Sequence, residues 1–138
     1  TASHMAGDIG KNTIVEGKGF RFRTMSFSDN VPWMMALGND MGYENIFVEQ
    51  LKNWAKPGDV LVSISGSGNS ENVIRAMTWA KKNGITNIAM LGFSGGKAKK
   101  LADLVVIVPV DHYGWVEGVH SEIQHCVIEA LKLKMRVR

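Results

Sequence analysis

The chain carries a single cysteine, Cys126, among 138 residues, which excludes an intrachain disulfide. Stability must therefore come from burial, and a chain of this length can remove roughly two-thirds of its unfolded surface from water. A reduced, cytoplasmic setting is the expectation for such cysteine usage. Long apolar runs are also lacking. None approaches the ~20 residues of a membrane span, and no signal-peptide pattern is visible, so no membrane partner is expected. Internal repeats and low-complexity segments are absent. Charge of either sign is in short surplus, with a net charge of +3 and a pI near 9.1. That balance suits an anionic substrate without specifying one. The lysines of GGKAKK and of the tail KLKMRVR read as solvated faces; no nucleic-acid-binding motif accompanies them, and no nucleic acid is expected as a partner.

What is present is an ordinary globular mixture, 45% apolar and 21% charged, expected to form one domain over residues 1–138. GFRFRTMSF alternates apolar and polar residues and predicts a strand over residues 19–27. SDNVPWMMALGND predicts a short helix capped by Ser28 or Asp29. YENIFVEQLKNWA places Ile46, Phe47, Leu51 and Trp54 at helical intervals, and KPGD breaks that pattern. DVLVSIS, TNIAMLG and DLVVIVP are short apolar runs of the kind that form strands buried on both faces. SENVIRAMTWAKKNG is an amphipathic helix with Ser70 at its start and Gly84 just past its end. GGKAKKLA predicts one or two helical turns, and a long terminal helix is expected over residues 114–135. Strands alternating with helices predict βαβ units, hence an α/β fold with a central parallel sheet covered on both sides, a three-layer αβα sandwich. In such sheets the ligand site lies beyond the carboxyl ends of the strands.

At one such end stands SISGSGNSENV, where an apolar run gives way to Ser65, Gly66, Ser67, Gly68, Asn69 and Ser70 before a helix begins. A helix start offers backbone N–H groups without internal partners and a partial positive charge, which together accept an anion. Glycine lets the backbone approach closely, and serine adds donors without bulk. Ser65, Ser67 and Ser70, with the amides of Gly68 and Asn69, are the expected grip on one phosphate. The bland alternative is a plain strand-to-helix turn with Ser70 as cap. The pattern GxxxxGK(S/T) is absent, which argues against a nucleoside triphosphatase loop and for a single sugar phosphate.

SISGSGNSENVIRA, then a strand, GGK, a strand ending in proline and a helix carrying VHSEIQH, together resemble the sugar isomerase (SIS) domain family, and most nearly its phosphoheptose isomerase subgroup. SDNVPWMMALGNDMGYENIFVEQLK is similar to that subgroup's segment between its two phosphate loops. The resemblance implies a flavodoxin-like SIS fold and aldose–ketose isomerisation of sedoheptulose 7-phosphate to a heptose 7-phosphate. It also implies a phosphorylated sugar as ligand, a homotetramer with shared sites, and a role in lipopolysaccharide or capsule heptose synthesis. The family's first glycine-rich loop would fall just before Thr1, so the resemblance implies that the N-terminal part of the domain is missing from this sequence. SHM looks like a cloning remnant, yet TASHMAGDIGKN reads as a coherent helix, and His4 and Asp8 fall on the family's histidine and glutamate positions.

Residues four apart share a helix face, so His4 and Asp8 point together. On the terminal helix Val116, Val119, Ile123, Val127 and Ala130 read as the apolar stripe. Glu117, His120, Ser121, Gln124 and His125 then form a separate face that suggests a lined cavity. In the family a glutamine and a histidine eight residues apart on this helix join the earlier histidine and glutamate to hold zinc or flank the reacting carbons. By position these are Glu117 and His125. The implied metal set is thus His4, Asp8, Glu117 and His125, for Zn2+ or a similar divalent ion. Asp8 and His125 are the implied catalytic base and acid. Asp8 is one methylene shorter than the family glutamate, and Glu117 adds a charge where the family has an amide, which strengthens the metal role and weakens the base. Asp29 and Asn30 are candidates to touch sugar hydroxyls or to cap a helix. Tyr113 and Trp115 are expected in packing, and Cys126 as a buried small hydrophobe. The competing function class is a non-catalytic sugar-phosphate-binding module, or an adaptor of the kind that associates with the bacterial replication initiator.

Overall fold

The computed structural model describes residues 1–17 and 20–137. Five helices, α1 (Ala2–Asn12), α2 (Val31–Met41), α3 (Val48–Trp54), α4 (Glu71–Lys82) and α5 (Tyr113–Val137), accompany three strands, β1 (Val60–Ser65), β2 (Thr86–Gly92) and β3 (Leu104–Val108). Short 3-10 turns lie at Tyr43–Asn45 and Ala98–Lys100. The strands form a parallel sheet in the order β1-β2-β3, with Val60 opposite Thr86 and Ile88 opposite Leu104. All three expected βαβ strands form.

Alternation of side chains along β2 assigns the layers. Ala89 and Leu91 join Met77 of α4 and Ala98 in one buried cluster. Val48, Leu51, Ala76, Ala80 and Ile85 extend that layer under α3. Gly92 points to the opposite face, where a Cβ would stand 2.6 Å from Val116 of α5. Helices therefore cover both faces, and the sheet is the middle of an αβα sandwich. α1 packs on α5, in the layer opposite α3 and α4. β2 is buried almost throughout, whereas β1 and β3 are partly open, as befits edge strands.

Three local expectations are corrected. The strand over 19–27 does not form; Gly19 lies outside the described residues, and 20–26 runs without secondary structure. It has the period of a strand but forms no ladder, because it lies against α1 and pairs with neither edge of the sheet. Its polar groups turn to α1 instead, with the Thr24 hydroxyl donating to the Ala6 carbonyl at 2.8 Å and Ser26 Oγ lying 3.4 Å from Ser3 Oγ. Trp54, the last residue of α3, is 56% exposed, so of the helically spaced set Ile46 and Leu51 are buried and Trp54 is not. On α5 the buried stripe is Val116, His120, Gln124 and Ile128, a strict four-residue step, while Val119 and Val127 face outward. Two polar residues assigned to a cavity wall are thus interior. Cys126 is exposed, as its place on the outer side of that same helix requires.

Candidate functional site

β1 ends at Ser65 and α4 starts at Glu71, with Ser70 at the cap position but making no side-chain capping bond. Between them the loop folds onto itself. The Gly68 amide donates to Ser65 Oγ at 3.1 Å, and the Asn69 amide donates to Ser67 Oγ at 3.2 Å. These two amides, expected to face an anion, are turned inward. The reason is local: a serine oxygen two or three residues upstream accepts from the backbone and closes a small turn. Gly68 sits at φ 65°, and a Cβ there would run into the Gly95 carbonyl oxygen, so glycine is required twice over. Asn69 is a brace: its Oδ1 accepts from the Lys97 amide at 3.0 Å, and its Nδ2 donates to the Ser67 carbonyl at 3.2 Å.

Donors remain nonetheless. The hydroxyl protons of Ser65, Ser67 and Ser70 are uncommitted, and the amides of Ser70, Glu71 and Asn72 have no acceptor among the described residues. Those three amides are the first of α4 and carry the positive end of its dipole. Ser70, Glu71 and Asn72 line a concavity of about 520 Å³ together with Tyr43, Glu44 and Arg75. The Arg75 guanidinium donates to Asn45 Oδ1 at 2.9 Å and approaches Glu71 and Glu44 at 3.4 and 3.8 Å. Its charge is thus already balanced by two carboxylates, and the anion-accepting character of this end rests on hydroxyls and amides.

A second cluster forms where α1 meets α5. His4 Nε2 lies 3.2 Å from Asp8 Oδ2, and the His4 and His125 rings meet edge to face with centroids 5.1 Å apart. One ligand atom from each of His4, Asp8 and His125 lies within 4.8 Å of the others. The four-residue spacing on α1 brings the first pair together, and helix packing brings the third. Asp8 Oδ1 accepts from Asn12 Nδ2 at 3.2 Å, a partner sequence reasoning missed although Asn12 repeats the same four-residue step. Glu117 does not join. It lies two turns away on α5, exposed, and makes no hydrogen bond or ion pair among the described residues. Sharing a face over eight residues leaves a rise of about 12 Å along the axis.

Asp29 is drawn to α1, where its Oδ1 accepts from the Ser3 hydroxyl. Asn30 takes the capping alternative, its Oδ1 accepting from the Trp33 amide at 3.2 Å at the start of α2. His120 is buried against the sheet with Nε2 3.0 Å from the Leu91 carbonyl. A carbonyl only accepts, so Nε2 carries the proton.

The SIS domain family profile matches residues 1–92. The phosphoheptose isomerase of Sulfurimonas denitrificans is 37% identical over 109 residues, covering 79% of this chain and 56% of that protein. That of Helicobacter pylori (strain Shi470) is 34% identical over 131 residues, covering 95% of this chain and 67% of the relative. Among solved structures, the phosphoheptose isomerase of Neisseria gonorrhoeae superposes with a TM-score of 0.85 at 28% identity, over 94% of this chain and 68% of that one. The chain spans about half the length of the first curated relatives it matches. Family profile, sequence likeness and superposition agree, and the chain belongs to the SIS domain family.

Proposed function

We propose that this chain is the SIS-domain part of a sugar-phosphate aldose–ketose isomerase, a phosphoheptose isomerase that interconverts sedoheptulose 7-phosphate and a heptose 7-phosphate through an enediol. The observation that carries the proposal is the convergence of His4, Asp8 and His125 from two helices. Isomerisation moves a proton between adjacent carbons, so it needs a base at the carbon α to the carbonyl and an acid at the oxygen. Asp8 is the base, its carboxylate oriented by His4 and Asn12. His125 serves the oxygen. The hydroxyls of Ser65, Ser67 and Ser70 and the free amides that open α4 grip the phosphate, and binding at that end positions the reacting end. The relatives' shared name, phosphoheptose isomerase, supports the substrate class.

The cluster also fits a divalent ion. Two imidazole nitrogens and one carboxylate oxygen make the three-ligand set of zinc sites that keep a position open. The 3.2 Å between His4 and Asp8 suits two ligands about 2.1 Å from a common ion. His4, Asp8 and His125 would hold it, without Glu117. A bound divalent ion supplies polarisation of the sugar carbonyl. No helix among the described residues is long and apolar enough to cross a membrane. A cytoplasmic homotetramer serving lipopolysaccharide or capsule heptose synthesis completes the proposal.

The test is turnover of sedoheptulose 7-phosphate by the full-length protein, with metal analysis alongside. Asp8→Asn is expected to lower kcat by about 10²- to 10⁴-fold with little change in KM. Ser67→Ala is expected to raise KM. No turnover in the parent protein, with phosphate-ester binding that Ser67→Ala abolishes, would instead establish a sugar-phosphate-binding module.

A further inference from the structure

Two aromatic residues flank the serine loop without taking part in its chemistry. Tyr113, the first residue of α5, is 56% exposed. Its ring lies over Gly66, the first residue beyond β1, so closely that a Cβ on Gly66 would stand 2.7 Å from a ring carbon. Phe93 is the first residue beyond β2, and its ring centroid is 4.8 Å from that of Tyr113 at a tilt of 60°. Among the described residues Phe93 alone has a positive φ without being glycine, at 51°. L side chains avoid that conformation, and it persists only where surrounding contacts over-determine it.

The surrounding contacts join two loops. The Gly92 amide donates to the Gly66 carbonyl at 2.8 Å, and the Ala98 amide donates to the Gly68 carbonyl at 2.9 Å. The Lys97 amide donates to Asn69 Oδ1 at 3.0 Å. The segments that follow β1 and β2 are therefore seamed together, with the aromatic pair at one end of the seam. A ring stacked over a glycine blocks the space that a shifting loop would enter.

We propose that Phe93 and Tyr113 are positioning residues that hold the loop of residues 65–70 in shape: the left-handed backbone at Phe93 turns its ring onto Tyr113, and Tyr113 in turn covers Gly66. The functional meaning of that hold rests on the phosphate reading above, whereas the hold itself is measurable without it. An aromatic pair of this kind is worth a factor of about 2 to 12 in an equilibrium constant.

Two readouts on the intact chain test the proposal. In amide hydrogen exchange, Tyr113→Ala and Phe93→Gly should speed exchange at Gly68, Asn69 and Lys97 about fivefold to tenfold, while amides in the middle of α4 keep their parent rates. Glycine at 93 tolerates the left-handed backbone but also frees it, so Tyr113→Ala, which leaves residue 93 unchanged, is the variant that decides. Tyr113→Phe keeps the ring and should keep the parent pattern. In calorimetric titration with inorganic phosphate, the two ring-deleting variants should weaken binding by a similar factor, and Tyr113→Phe should restore it. Parent-like exchange in Tyr113→Ala overturns the proposal. So does protection lost evenly along the chain, since that marks the pair as general packing. If the parent chain binds no phosphate but the exchange pattern appears as expected, the phosphate reading falls and the positioning role stands.

Discussion

At Gln124 the chain buries a carboxamide completely, and neither of its polar atoms has a hydrogen-bond partner among the described residues. One turn earlier His120 is equally buried, but it is satisfied by the Leu91 carbonyl. The contrast separates a neutral arrangement from a costly one, because an unpaired buried polar group forfeits its hydration for nothing. Gln124→Met keeps the length and removes both polar atoms. It is expected to stabilise the chain by about 1–2 kcal/mol, seen as a higher midpoint in urea unfolding. A lower midpoint would mean that the amide has a bound partner worth keeping. The same scale shows why Asn12 was hard to read: a polar residue on a helix is common, and only the fold shows that its side chain donates to Asp8.

Elements were more legible than faces. β1, β2, β3 and α4 follow from short apolar runs and one amphipathic pattern, because burial on both sides of a parallel sheet leaves a plain compositional mark. α5 was legible as a helix, but its buried side was not. Valine at 119 and 127 looks like core, and histidine and glutamine at 120 and 124 do not; yet packing at a strict four-residue step buries the polar pair. The segment 20–26 fails in the opposite way, since strand periodicity without a neighbouring edge forms no strand. In the candidate site the serine loop and His4, Asp8 and His125 were readable from spacing and resemblance. The inward turn of the Gly68 and Asn69 amides and the isolation of Glu117 depend on three-dimensional detail that spacing does not contain. The loop's tolerance is sharp at one position. Gly68→Ala meets both a positive φ and the Gly95 carbonyl, and it is expected to cost upwards of about 2 kcal/mol in chemical denaturation. An unchanged midpoint would show that the two loops separate freely.

At the scale of the whole molecule, α5 displays Trp115, Val119, Val127 and Leu133 with substantial exposure. Apolar side chains repeated along one long helix suit contact with other copies of the chain. If α5 carries the contacts of the proposed homotetramer, sedimentation velocity should show the parent as a tetramer and the double change Val119→Glu with Val127→Glu as smaller species with an intact far-UV spectrum. Persistence of the tetramer would place the contact elsewhere. β2 occupies the middle of the sheet, so β1 and β3 each keep one side without a described neighbour. Main-chain donors and acceptors along such a rim are adhesive toward any extended peptide. A segment or subunit that covered that rim is therefore expected to lower light scattering on warming without moving the unfolding midpoint.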